Sequence, residues 1–278
     1  MAAPRASGTL TGTFERFRLW LRILSRLRGT TPRMRVGLSA SAFVDTCLFA
    51  TARSRAIHPK SYVSGIVHAP QSLVSFRVRR GTDDIYNVLP RRETDVDDYI
   101  RGHLHPGDAF VDVGANAGYY SVVAAKIVGP RGSVLAVEPV PQTFELLREN
   151  LILNGLGNVT AVRKACWNAR ASLTMTLPGE YYGLASLSTP RPGARIPVET
   201  CPLDDLTADL PSIQVLKVDA ERSELQVLEG AANTLARTKF VVLEATQDRA
   251  RVEELLRRNA FSLEASRDYP DYLFGERR

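Results

Sequence analysis

Acids that directly follow short apolar runs carry most of the chemistry this sequence could do. Asp112 follows Phe110-Val111, and Glu138 closes Val134-Leu-Ala-Val137. Asp219 closes Val215-Leu-Lys-Val218, with Glu221 two residues on, and Glu244 closes Phe240-Val-Val-Leu243. Runs of this length read as buried strands, so each acid is expected at a strand's carboxyl end, where open α/β sheets bind ligands. A carboxylate there can hold a cationic group, accept hydrogen bonds from hydroxyls, or take a proton from a hydroxyl nucleophile. Lys217 lies inside the third run, close enough in sequence to pair with these acids.

The first acid leads into Val113-Gly114-Ala-Asn116-Ala-Gly118-Tyr-Tyr120, a glycine turn that opens a helical pattern. Gly114 and Gly118 can take left-handed dihedrals and admit a ligand to the backbone. Free N–H groups at the helix start are expected to face that ligand. A dinucleotide pyrophosphate prefers G-x-G-x-x-G, and Asp112 would repel it. S-adenosylmethionine has no phosphate but carries an ammonium, a sulfonium, a carboxylate and a ribose, so an acid beside a glycine turn suits it better. Glu138 could accept both ribose hydroxyls in either kind of site. Taken together, D-x-G-x-N-x-G and Val137-Glu138-Pro139 favour the methyl donor. The expected cofactor contacts are Asp112, Gly114, Asn116, Gly118, Glu138 and Pro139.

With these residues in place, the sequence resembles the FkbM-type methyltransferases, a branch of the S-adenosylmethionine-dependent class I fold. The resemblance rests on Pro106 to Gly118, Ala136-Val-Glu-Pro-Val-Pro141, Asn150-Leu-Ile-Leu-Asn154, Leu216-Lys-Val-Asp-Ala-Glu221 and Val241-Val-Leu-Glu244. It covers roughly residues 73 to 265. It implies O-methyl transfer to a hydroxyl on a small molecule, sugar or glycolipid. It also implies a β-hairpin and helix that cover the cofactor, which would bring Asp84 near the site. Ala165 and Trp167, at the end of a third strand, would lie beside the adenine. An inserted hairpin region across 170–206 would meet the acceptor, with Tyr181, Tyr182 and Ser186 as contacts.

Asp219 is the first choice for the base that takes the acceptor's proton, and Glu221 the second. Glu244 and Lys217 complete the candidate catalytic set; the competing reading is that these acids only pair with Lys217 and Arg222. The family pattern D-V-E-G-x-E appears here as Asp219-Ala-Glu221-Arg222-Ser223-Glu224, with a long cation at the glycine position. That departure keeps open a cofactor-binding scaffold without catalysis. An NAD-dependent oxidoreductase is the third reading, and Asp112 and Asn116 count against it.

The elements that must position these groups form a doubly wound, mostly parallel sheet of about seven strands, with helices on both faces. Residues 61–278 are read as the methyltransferase domain, with a lead-in over 61–105 and a core over 106–278, preceded by a helical extension over 1–60. At 44% hydrophobic and 24% charged residues, the chain can bury a sizeable core. Three cysteines without a C-x-x-C pair exclude a disulfide framework or cysteine zinc site and suit the cytoplasm. His103 and His105 form an H-x-H without a third ligand nearby, so no metal is expected.

The net charge of +6 is unevenly distributed. Residues 1–60 hold eleven Lys/Arg against two acids, or +9, which leaves −3 for the remainder. A nucleic-acid substrate would need a basic rim around the site, and none is visible. Within the extension, Phe14, Phe17, Trp20, Leu21, Leu24 and Leu27 are expected on one helical face, with Arg18, Arg22 and Arg26 on another. Such a helix suits peripheral contact with an anionic membrane through residues 14–28. It equally suits packing on its own domain or on a second subunit in a homodimer. A second helix over Leu38 to Ala52 is too short to span a bilayer and is expected to fold back on the first.

Overall fold

The computed structural model describes residues 9–51, 58–177, 187 and 193–278. Contacts divide the chain into two compact units, Met1–Arg92 and Glu93–Arg278, whereas the sequence pattern placed the boundary after residue 60.

In the first unit, α1 (Leu10–Arg26) starts at Thr9, whose hydroxyl accepts the Gly12 N–H. After β1 (Arg28–Gly29), α2 (Pro32–Ala50) starts at Thr31, whose hydroxyl accepts the Met34 N–H. Pro32 takes the first helical position, where a missing N–H costs nothing. The two helices pack on each other, with Trp20, Ile23 and Leu27 buried on α1 and Met34, Leu38 and Phe49 on α2. Asp45, fully buried, accepts from Trp20 Nε1 at 2.8 Å and lies 3.2 Å from Arg16 Nε. This pairing accounts for an acid within an apolar helix. The apolar face expected on α1 is split in two, since Phe14, Phe17 and Leu21 are exposed while Trp20 and Leu27 are buried.

Strands β2 (Gly65–Ala69) and β3 (Val74–Val78) form an antiparallel hairpin, and β1 pairs with β2 to make three strands. One turn of helix, α3 (Asp84–Asn87), follows. Asp84 is not free for a ligand: Arg79 grips both carboxylate oxygens at 2.8 Å.

The second unit opens with α4 (Thr94–His103), β4 (Ala109–Val113), α5 (Tyr119–Val128), β5 (Ser133–Val137), α6 (Pro141–Leu153) and β6 (Val159–Val162). A small sheet follows from β7 (Ala165–Cys166), β8 (Ala171–Leu177) and β9 (Ala194–Cys201), the last two forming the hairpin expected between 170 and 206. Tyr181, Tyr182 and Ser186 lie outside the described residues. The chain continues through α7 (Leu203–Leu206), β10 (Ile213–Val218), α8 (Glu224–Glu229), α9 (Ala232–Ala236), β11 (Thr238–Glu244), α10 (Arg249–Arg258), β12 (Phe261–Ala265) and β13 (Tyr272–Arg277).

The main sheet has the order β12-β13-β11-β10-β4-β5-β6. Strands β6, β5, β4, β10 and β11 run parallel, while β13 runs antiparallel to both its neighbours. This is the expected doubly wound, mostly parallel seven-stranded α/β fold. From β4 the chain steps outward through β5 and β6; it later returns to β4's other side with β10. Adjacent β4 and β10 therefore flank the point where the winding reverses, and a cleft opens at their carboxyl ends. Buried Val111, Val113, Leu216, Val218, Leu225 and Leu243 form part of the apolar core beneath it.

The helical stretch after β10 breaks into α8 and α9 at Gly230, where a Cβ would lie 2.2 Å from the Trp167 carbonyl oxygen. Gly155 is left-handed after α6, at φ +64°.

Candidate functional site

Strand register brings the acids together. Lys217 is level with Asp112 on the neighbouring strand, and Val218 is level with both Val113 and Leu243. Side chains alternate along a strand, so Asp112, Lys217 and Asp219 share one face. Asp219 and Glu244 leave the sheet side by side. Lys217 Nζ lies 3.2 Å from Asp112 and 3.6 Å from Asp219. Asp112 also accepts from Ser121 Oγ at 2.6 Å. Burial opposes the charge of Lys217, but Asp112, Asp219 and Glu93 outweigh it and raise its pKa.

Glu244 is strongly perturbed. Burial, the charges of Asp219 and Glu221, and a hydrogen bond to Asp219 push its pKa well above the carboxylic range. This environment favours the protonated form of Glu244, in which its carboxyl can donate toward Asp219. Three groups without a role in the sequence reading surround this pair. Tyr120 donates its hydroxyl to Glu93 at 2.9 Å, and its ring lies 5.4 Å from Lys217 Nζ. Tyr272, opposite Glu244 in the sheet register, has its pKa raised by burial and by Glu93, Asp219 and Glu244.

A cleft opens at the carboxyl ends of these strands. Gly114, Asn116, Glu138, Pro139 and Ala165 line it, as do Asp219 and Glu221. Val113, Val137, Val140, Met175 and Leu187 make the rest largely apolar. The register thus unites the expected cofactor end and the expected chemical end in one cavity. Asp112 and Lys217 are not in the lining; at 0% and 2% exposure they stand behind it. Gly118 and Trp167 are also outside it. Gly118, at φ +90°, caps α5 against Leu147, while the Trp167 N–H donates to the Cys201 carbonyl.

The glycine loop works differently from its sequence expectation. A Cβ on Gly114 would lie 1.8 Å from the Asp219 carbonyl oxygen. The backbone that approaches Gly114 most closely is therefore the loop after β10. The N–H groups of this loop are spent internally. Gly114 and Ala115 donate to Val137, Asn116 to Glu138, Ala117 to the Asn116 side chain, and Gly118 to Ala115. A pyrophosphate would find no donor among them. Glu138 accepts from Asn116 and Val140, both at 2.9 Å, leaving lone pairs for hydroxyl donors, and burial lifts its pKa to about 7. A buried acid beside a largely apolar slot, with the N–H groups of the glycine loop already spent, fits an adenosine with a cationic tail, although Lys164 also lines the cleft.

Glu224 plays the matching part on the other loop. Its carboxylate accepts from the Ala220 and Arg222 N–H groups at 3.1 and 3.0 Å, and burial lifts its pKa to about 7. Glu221 and Arg222 both have positive φ, +47° and +78°, so the position where the resembled pattern has glycine is left-handed here too. Asn150 of α6, fully buried, donates to the Ala117 carbonyl at 2.8 Å and anchors the glycine loop from behind. A polar residue amid the apolar positions of that helix was the available sequence signal. His103 Nδ1 donates to the Tyr99 carbonyl at 2.8 Å, and no described residues form a cluster suited to a metal ion.

The family described as "Methyltransferase FkbM domain" matches residues 112–268. "Hexuronic acid methyltransferase AglP" of Haloferax volcanii is 30% identical over 207 residues, covering 71% of this chain and 83% of the relative. "31-O-demethyl-FK506 methyltransferase FkbM" of Streptomyces tacrolimicus is 29% identical over 202 residues, covering 59% and 76%. Among solved structures, an S-adenosylmethionine-dependent O-methyltransferase of Thermotoga maritima matches 70% of each chain at 15% identity, with a TM-score of 0.45.

Proposed function

The chain belongs to the FkbM family of methyltransferases, whose cofactor is S-adenosylmethionine, and from that premise we propose that it methylates a hydroxyl of a sugar, glycolipid or other small molecule. The observation that carries the hydroxyl assignment is Asp219 in the cleft that Glu138 also lines, backed by Lys217 and paired with Glu244, which stands outside the lining. Glu138, Asn116, Pro139 and Ala165 would hold the cofactor's adenosine. When bound, the cofactor supplies an activated methyl group.

The residues at the other end of the cleft manage the proton. A neutral hydroxyl is a weak nucleophile, and Asp219 is placed to take its proton. Glu244 stays protonated, so the pair confronts the acceptor with one negative charge rather than two. Lys217 fixes the Asp219 carboxylate from behind, out of reach of the acceptor, and acts as a positioning residue. Glu221 lines the same cleft and would contact the acceptor. The names of the two relatives support oxygen-rich acceptors, a hexuronic acid in one and an O-demethylated compound in the other. A cytoplasmic location belongs to the same reading, with Cys47, Cys166 and Cys201 all free.

The test incubates the purified chain with labelled S-adenosylmethionine and a panel of uronic acids, neutral sugars and glycolipids. A base-stable methyl ether on one acceptor class is expected, with turnover lost in Asp219→Asn while calorimetric binding of S-adenosylhomocysteine persists. Undiminished turnover in Asp219→Asn would remove the assigned base. Methylation of an amine alone would end the hydroxyl reading.

A further inference from the structure

We infer that the outer face of α1 is a docking surface for an anionic lipid bilayer. The helix is apolar on two sides, and its own unit uses one of them. Trp20, Ile23 and Leu27 point inward and are at most 1% exposed. Leu10, Phe14, Phe17 and Leu21 follow i, i+4, i+7, i+11 spacing and form a second stripe along the helix. Their exposures are 92%, 59%, 48% and 51%. On α2, Val36 and Phe43, two turns apart, are 70% and 72% exposed. A stripe of large apolar side chains exposed along α1, with two more exposed on α2, exceeds the scattered exposure normal for a soluble surface.

Charge selects the occupant. Arg18 and Arg22, one turn apart and exposed, flank the α1 stripe, and the Arg18 guanidinium lies 5.7 Å from the centre of the Phe14 ring. Arg28, Arg33 and Arg35 are exposed at the helix junction. Residues 1–60 contain two acids, Glu15 and Asp45, and Asp45 is fully buried. An apolar stripe with an arginine flank matches a bilayer surface, with phosphates for the guanidiniums and an acyl boundary for the phenylalanines. A second copy would instead set this +9 segment against an identical one. No helix among the described residues is long and apolar enough to cross a membrane, so α1 would lie in the plane of the interface. This docking does not depend on the methyl-transfer reading, because the face belongs to the N-terminal unit and its assay contains no acceptor.

The experiment floats the full-length chain with vesicles of phosphatidylcholine alone or mixed with phosphatidylglycerol, at low and high salt. Binding to the mixed vesicles is expected, weakened by salt and by neutral lipid. Phe17→Ser with Leu21→Ser should weaken it about tenfold or more, and Arg18→Gln with Arg22→Gln about tenfold. All four side chains are exposed, and circular dichroism of each variant verifies the fold. Failure of the folded wild-type chain to float with mixed vesicles would overturn the proposal. So would equal binding by the serine variant, or salt-independent binding to both lipids. A dimer that the serine variant dissociates, without vesicle binding, would assign the stripe to a second copy.

Discussion

Two loops meet at the winding reversal of the sheet, and they solve one problem with different residues. Each leaves a parallel strand, turns sharply, and is tied by a buried glutamate that accepts two backbone N–H groups. Glu138 holds the first loop through Asn116 and anchors Val140; Glu224 holds the second through Ala220 and Arg222. The first loop places glycine at two left-handed positions, Gly114 and Gly118, although Asn116 at φ +49° is a third. The second has no glycine, and Glu221 and Arg222 take left-handed dihedrals themselves, at roughly 1–2 kcal/mol each. Strain therefore collects on the loop that carries Asp219. The cofactor end of the cleft is relaxed, whereas the chemical end is held in place by Glu224.

The largest effect expected from this contrast is on chemistry. Asp219→Asn should lower kcat by about 10²–10⁴-fold with little change in cofactor affinity, as measured by single-turnover methyl transfer beside calorimetry. Equal losses in both would mean that Asp219 serves the cofactor end. Next comes Lys217→Met, which leaves Asp112 buried without its cation. We expect about 3–5 kcal/mol of destabilisation by urea unfolding, and a loss below 1 kcal/mol would show that Ser121 suffices for Asp112.

Gly114→Ala tests how closely the loops touch. Its Cβ would meet backbone rather than a yielding side chain, so about 2–4 kcal/mol should be lost. An unchanged melting temperature would mean that the two loops separate readily.

The pH dependence addresses the two glutamates. Their folded pKa values of about 7 lie above the ordinary 4.5, so the folded state binds more protons between those limits. Their contribution to stability therefore falls as pH rises from about 4.5 to about 7. Glu224→Gln should flatten that slope, as seen in unfolding midpoints collected across the range. A slope unchanged from wild type would place the titration elsewhere. The smallest effect is expected from Arg222→Gly, which relieves the left-handed side chain at the cost of a looser unfolded chain. A net gain of about 0.5–1 kcal/mol is expected, and a net loss would show that side-chain contacts of Arg222 hold the loop.

Much of the fold was legible from local pattern. Apolar runs ending in acids marked β4, β5, β10 and β11, because burial on both faces leaves its mark residue by residue. Neighbouring strands 105 residues apart in the chain, as the level pair Asp112 and Lys217 are, leave no such mark. Asp112 illustrates the consequence. Its place beside the glycine turn suggested a direct cofactor contact, yet pairing with Lys217 and Ser121 holds it behind the cleft. The sequence likewise named Glu244 as an acid at a strand end. Only its register beside Asp219, together with burial, makes it a proton holder.

Residue types and spacing alone determined the methyl-donor chemistry of the cleft, since an acid before a glycine turn and a second acid one strand later act through local geometry. The tertiary structure decided which acids reach the cleft, which stand behind it, and which backbone groups remain for a ligand. The physical reason is that protonation and hydrogen bonding depend on burial and on the nearest neighbour in space. In a sheet wound in two directions, that neighbour comes from a distant part of the chain.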